Sequence, residues 1–138
     1  TAKRPLIVVG YGTRLSGAEN SLISFIEKHK IPIVTSWNIC DIVESEHQLN
    51  LGRPGIAGQR GANLAIQNCD FLLCLGSHLN SSITGTLYDA FAREAKVVVV
   101  DIDINELDNL SIHTNWKINS DIGKFISQLD NYIEDNIK

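Results

Sequence analysis

Apolar residues along this chain fall into short runs broken by polar, glycine-containing segments. Leu6 to Val9, Ile31 to Thr35, Phe71 to Leu75 and Val97 to Asp101 are runs rich in valine, isoleucine and leucine. Continuous apolar runs this short predict strands buried on both faces, as in parallel sheets. Trp116 to Ile118 predicts a last strand. Between the runs, apolar residues recur at helical spacing. Leu22, Ile23 and Ile26 form an inward stripe on a helix that ends near His29. A second helix is predicted from about Arg60 to Asn68, a short helical piece around Tyr88 to Arg93, and a last helix from Asp121 to about Ile133. From Ser36 to Asn50 the pattern weakens, predicting loop with a short helix near Asp41.

The breaks carry their own signals. Ser16-Gly17-Ala18-Glu19 matches a capping box at the start of the first helix, and Ser120 is placed to cap the last one. Pro32 is tolerated at the start of a strand. Strands that alternate with helices imply an α/β domain with a parallel sheet covered on both faces.

Composition narrows the class. The chain has 138 residues, 43% of them hydrophobic and 20% charged, as expected for one globular domain with a substantial core. A net charge of −4 leaves no excess cation for phosphates, so nucleic acid is not an expected partner. No apolar run approaches the ~20 residues that span a bilayer, so no membrane segment is expected. Cys40, Cys69 and Cys74 are odd in number and lack metal-ligand spacing. They read as reduced core residues of a cytoplasmic protein. The chain starts at Thr1 and contains no methionine, which suggests a processed chain or a piece of a longer one.

Several segments point to chemistry. Ligands of open α/β sheets sit at the carboxyl ends of the strands, and there the valine strand runs into Asp101-Ile102-Asp103. These acids are candidates to accept hydrogen bonds from a ribose or a ring; alternatively they bond nearby backbone N–H groups. Gly10-Tyr11-Gly12 follows the first strand, where glycines let backbone N–H groups approach a phosphate. Gly17 comes too late for G-x-G-x-x-G, and the second strand ends in Thr35-Ser36 with no acid for a ribose, so a standard NAD site is not expected. The turn reads equally as one that starts a helix. The loop Gly52 to Gly61 suggests backbone passing close to a ligand or to another chain segment. Arg53 and Arg60 in it are candidates to meet a pyrophosphate, or else lie on a solvated surface. His78 has no nucleophile partner and reads as a polar contact. His29, His47 and His113 are scattered, expected to be exposed, and show no metal spacing.

Taken in order, these segments resemble a known family. They are Gly10-Tyr11-Gly12, Ser16-Gly17-Ala18, Ile31-Pro32-Ile33-Val34-Thr35, and Leu51-Gly52 with its glycine loop. Then come Ala62 through Gly76, Phe91-Ala92-Arg93-Glu94-Ala95-Lys96, and Asp101-Ile102-Asp103. Together they resemble the central domain of thiamine-diphosphate-dependent enzymes of the acetolactate synthase type, over nearly the whole chain. The resemblance implies a three-layer, Rossmann-like, doubly wound parallel sheet of six strands, with residues 1–138 as one central domain of a longer three-domain enzyme. It implies a parent that decarboxylates a 2-keto acid and joins the two-carbon unit to an acceptor. Thiamine diphosphate and magnesium would be held by flanking domains of the same chain, in a homo-oligomer. No Gly-Asp-Gly run occurs here, so these residues alone are expected to hold no catalytic residue, no metal and no thiamine diphosphate.

In acetolactate synthases the central domain binds FAD. The resemblance carries the contacts onto Gly10, Gly12, Thr35, Gly55, Gly58, Ser77, His78, Asp101 and Ile102. Those enzymes usually have arginines where this chain has His78 and Ser82, and a histidine before the last glycine of the glycine loop. Each lost charged hydrogen bond removes about 1.5–3 kcal/mol. Two expectations follow: a nucleotide- or FAD-binding domain, or a structural and subunit-contact domain with no ligand. A sirtuin-like NAD-dependent deacylase would need an Asn-Ile-Asp run and a His-Gly pair, which do not occur. An electron-transfer flavoprotein subunit would rest on fold analogy alone.

Overall fold

The computed structural model describes residues 2–136. Five parallel strands form one sheet: β1 (Pro5–Val9), β2 (Ile33–Thr35), β3 (Phe71–Leu75), β4 (Lys96–Asp101) and β5 (Trp116–Asn119). Their order is β2-β1-β3-β4-β5. The helices are α1 (Gly12–Leu15), α2 (Glu19–His29), α3 (Arg60–Asn68), α4 (Ser81–Thr84), α5 (Ile104–Asp108) and α6 (Ile122–Asn136), with short 3-10 turns at Trp37–Ile39 and Tyr88–Ala90.

The continuous apolar runs are explained by two cores. Side chains alternate across a strand, so Leu6 and Val8 join Leu72, Cys74, Val97 and Val99 on one face, against Ala62 and Ile66 of α3. Ile7 and Val9 join Leu73, Leu75, Val98 and Val100 on the other, against Leu22 and Ile26 of α2 and Ile122 and Ile126 of α6. Each face is covered, which makes three layers. Fully burying a side chain of this size contributes roughly 1.5–3 kcal/mol.

Five strands stand where the resemblance implies six. The missing place, outside β2, is held by an edge segment. Ile33 bridges Asn50 in parallel, and three backbone bonds secure it: Ile33 N–H to the Leu49 carbonyl at 2.8 Å, Leu51 N–H to Ile33 at 2.9 Å and Thr35 N–H to Gly52 at 3.0 Å. The glycine loop that follows leaves this segment no length to extend the ladder. With it counted, the strand places read in the doubly wound order, and the direction of winding reverses between β1 and β3.

Several local expectations are corrected. Ser16 does not cap α2: its hydroxyl donates to the Thr13 carbonyl at 2.9 Å, and Glu19 accepts from Arg14 Nε at 2.8 Å. The extra helix α1 takes up the residues between turn and helix. Asp121 caps α6 in place of Ser120, its carboxylate accepting the Lys124 N–H at 3.0 Å. The second strand starts at Ile33, past Pro32, and the short helical turn expected near Asp41 lies at Trp37–Ile39. Of the thiols, Cys69 and Cys74 are buried but Cys40 is half-buried. His29 and His47 are half-buried too, His29 at 2.6 Å from Asp130 and His47 at 3.2 Å from Glu27. Among the described residues, no helix is long and apolar enough to cross a membrane.

Candidate functional site

The strands end level. Val9 is in register with Thr35 and with Leu75, and Leu75 with Val100. The next residues, Ser36, Gly10, Gly76 and Asp101, therefore form a row along the carboxyl edge. Their N–H groups complete the ladder: Ser36 to Val9, Gly10 to Leu75 and Gly76 to Val100, each at 2.9 Å. The carried-over residues Gly10, Gly12, Thr35, Ser77, His78, Asp101 and Ile102 all lie at or just past this row.

The turn after β1 and the turn after β3 touch backbone to backbone. Gly12 N–H donates to the Gly76 carbonyl at 3.0 Å. A Cβ on Gly10 would fall 2.1 Å from both the Gly76 oxygen and the Ser77 Cα, and one on Gly12 would fall 2.8 Å from the Gly76 Cα. Gly76 itself has φ +51. The Gly-x-Gly pair thus serves a close chain crossing and opens α1, and its two glycine N–H groups are already engaged. Two hydroxyls beside this crossing, Thr13 Oγ1 and Ser77 Oγ, are buried without a partner among the described residues.

The acids at the end of β4 are engaged as well. Asp101 Oδ1 accepts the Asp103 N–H at 2.9 Å, and Asp103 Oδ1 accepts the Asn105 N–H at 2.9 Å, capping α5. β3 lies between Asp101 and the Gly10 turn in the sheet. Ile102 is exposed. His78 has φ +38, and its Nδ1 pairs with Glu106 Oε2 of α5.

The glycine loop is laced onto the rest of the same chain. Gly55, at φ +119, leaves room for the Ser82 carbonyl, which a Cβ would meet at 2.1 Å and which accepts the Ile56 N–H at 3.0 Å. Asn63 of α3 clamps Gly55 twice, accepting its N–H at 2.7 Å and donating to its carbonyl at 3.0 Å. Gly58 closes the turn with its N–H on the Gly55 carbonyl at 3.0 Å. Ser82, where the resemblance implied an arginine, is a helix-start residue, its N–H bonded to Asn80 Oδ1 at 3.1 Å.

These residues do not fit a flavin diphosphate at the Gly10–Gly12 turn. Its nearest cation in sequence, Arg14, is neutralised by Glu19 at 2.8 Å and Asp41 at 3.0 Å. With Arg14 paired and both glycine N–H groups bonded within the chain, a buried diphosphate there would lack its usual partners, which is costly. Arg53 lies elsewhere, its guanidinium 4.8 Å above the Trp37 ring, and Arg60 is exposed at the start of α3. Among the described residues no group of three His, Cys, Asp or Glu side chains is placed to hold a metal. Trp37, Gln59 and Thr13 carried no signal in the sequence pattern, because stacking and orphaned hydroxyls exist only in the folded chain.

Comparison with known proteins agrees with this architecture. Residues 1–129 match the family model for the thiamine pyrophosphate enzyme, central domain. The chain is 32% identical, over its full length, to a probable acetolactate synthase large subunit from Methanococcus aeolicus, covering 23% of that protein. It is 31% identical to the acetolactate synthase large subunit of Porphyra purpurea over 99% of this chain and 23% of that one. It is 35% identical to the acetolactate synthase of Mycobacterium bovis over 93% of this chain and 20% of that one. The chain thus spans about a fifth of the length of these curated relatives. It belongs to the central-domain family of thiamine pyrophosphate enzymes.

Proposed function

We propose that these residues act as the framework domain of an acetolactate synthase-like, thiamine-diphosphate-dependent enzyme. In that enzyme a 2-keto acid is decarboxylated and its two-carbon unit joined to an acceptor. Thiamine diphosphate and magnesium fall to other domains of the same polypeptide. This domain's part is to hold those domains, and the homo-oligomer they form, in place. The observation that carries the reading is the closed crossing of Gly10 and Gly12 on Gly76 and Ser77. It leaves the turn with no free cation and no free glycine N–H for a flavin diphosphate.

A second observation supports it. At the amino edge of the sheet lies an apolar groove of about 560 Å³, whose walls include Phe25, Phe71, Trp116, Phe125, Leu129 and Tyr132. Trp116 is 50% exposed and Tyr132 62%. Apolar surface of this kind marks an interaction site. Relatives about five times longer supply the occupant: another domain of the same polypeptide.

The buried hydroxyls of Thr13 and Ser77 favour a second reading, a nucleotide held at the crossing. Titrating the full polypeptide with FAD separates the two. The framework reading expects no saturable flavin binding and no visible flavin band in the purified protein. Stoichiometric flavin, weakened by Ser77→Ala, would replace it with the nucleotide reading.

A further inference from the structure

We propose that the cavity at the end of β2 is a phosphate site, taking the phosphate group of a small phosphomonoester on Arg53. The cavity measures about 170 Å³, and Thr35, Cys40, Ser45, Asn50, Arg53 and Gln59 line it together with Leu51 and Gly52. No carboxylate is among its walls. Arg53 donates no side-chain hydrogen bond and forms no ion pair among the described residues, and its Nε is buried without a partner. The other arginines differ. Arg4 donates to the Asn68 carbonyl at 2.6 Å, Arg14 holds two carboxylates, Arg93 lies 3.8 Å from Glu94, and Arg60 is in solvent.

The Nε is closed to solvent, so the donors open to a ligand in the cavity are the terminal amino groups of the guanidinium, which have no acceptor among the described residues. Here the guanidinium carbon lies over the Trp37 ring, 4.8 Å from its centroid, a favourable cation–π arrangement that restrains the side chain. A restrained guanidinium with unused donors is suited to an oxyanion.

The remaining walls select the shape of that anion. Gln59 Oε1 accepts the Arg53 backbone N–H at 2.8 Å, which leaves the carboxamide NH2 of Gln59 free to donate. The hydroxyl of Thr35 has no hydrogen bond among the described residues. A guanidinium, an amide and a hydroxyl on different walls match a tetrahedral group better than a planar carboxylate. The position fits as well: at the end of the second strand of a dinucleotide-type sheet, an arginine in place of an acid accommodates a ribose phosphate. β2 ends in Thr35-Ser36, without an acid. The site shares Thr35 with the implied flavin contacts but stands apart from the Gly10–Gly76 crossing, so it does not rest on either reading of that crossing.

Calorimetric titration of the full natural polypeptide that carries these residues tests the site. The probes are inorganic phosphate and adenosine 2'-monophosphate, with adenosine and pyruvate as controls. Saturable binding of both phosphates is expected, with neither control binding at the same concentrations. R53Q should weaken phosphate binding by at least about tenfold. R53K, which keeps the charge and loses the fork, should fall between, and it remains informative if R53Q fails to fold. Absence of saturable binding, equal affinity in R53Q and R53K, or pyruvate binding as tightly as phosphate would overturn the proposal. Flavin titration of the same variants is scored separately: flavin uptake overturns the framework reading and leaves the Arg53 site standing.

Discussion

Gly12 donates its backbone N–H to the carbonyl of Gly76 at 3.0 Å, and a Cβ placed on either glycine would strike the Cα of the other, at 2.8 and 2.7 Å. The contact joins the turns after β1 and β3 at the point where the sheet reverses its winding. It converts a motif readable as a phosphate cradle into a chain crossing. Gly10→Ala should therefore be destabilising by more than the ~1–3 kcal/mol of ordinary overpacking, because its neighbours at 2.1 Å are backbone and cannot turn aside. Chemical denaturation measures it.

Two other glycines set the scale. Gly61 has open space around its Cβ position and lies in α3, so Gly61→Ala should stabilise, by up to about 1 kcal/mol. Gly17 also has open space but sits at φ +68, so Gly17→Ala should cost roughly 1 kcal/mol through backbone strain alone. If the three substitutions have equal effects, the crossing is not the tight contact described.

The cap of α6 separates two adjacent residues. Asp121→Ala removes the acceptor of the Lys124 N–H and should cost about 1 kcal/mol. Ser120→Ala should stay within about 0.5 kcal/mol of wild type. Thermal melts of both variants decide which residue is the cap.

Acid stability has an identifiable source in Asp130. Hydrogen bonds from His29 first and Lys28 second hold its carboxyl below the usual value of 3.8. A folded-state pKa that is lowered contributes stability present above the ordinary carboxylate pKa, and that stability is lost as pH falls through the folded value. Wild type and Asp130→Asn should therefore differ near neutral pH, and their stabilities should converge below about pH 4. Parallel curves down to the acid limit would remove Asp130 from the account.

Thiol chemistry should follow burial. Desolvation pushes the Cys69 thiol up to about 11 and raises the Cys74 thiol as well, and the thiolate is the reactive form. Alkylation of the native protein at pH 8 should label Cys40 first, with Cys69 and Cys74 reacting only on unfolding. Peptide mass mapping reads the order.

The apolar groove predicts a difference between the domain and its parent. Hydroxyl-radical footprinting read by peptide mass mapping should label Trp116 and Tyr132 far less in the full polypeptide than in residues 1–138 alone. Equal labelling would leave the groove without its proposed occupant.

Much of this architecture was legible in the chain. Continuous apolar runs bounded by glycine and polar breaks marked β1, β3 and β4, because a strand covered on both faces needs apolar side chains on both sides. The stripe of Leu22 and Ile26 marked α2 for the complementary reason. The order of weak motifs was enough to identify the family, which the comparisons bear out. What stayed hidden depended on which of several suitable neighbours each group meets in the folded chain. Ser16 and Ser120 both had the right chemistry for a cap, yet Thr13, Arg14 and Asp121 decided where the helices begin. The edge segment beside β2 carries no strand pattern, since it pairs through three backbone bonds with little side-chain burial.

The carboxyl edge shows the same division most clearly. Local chemistry placed glycines, acids and arginines where a nucleotide site would have them, since residue type and order along the chain are enough to rank candidates. Whether each group is free to bind a ligand is a matter of who else reaches it. Gly76 takes the Gly12 N–H, Asp103 and Asn105 take the acids, and Glu19 with Asp41 take Arg14. Arg53, lying over Trp37 and facing no acid, keeps its side-chain donors unspent among the described residues. Those pairings span up to 64 residues of sequence, between Gly12 and Gly76, and only the packing of one turn against another settles them.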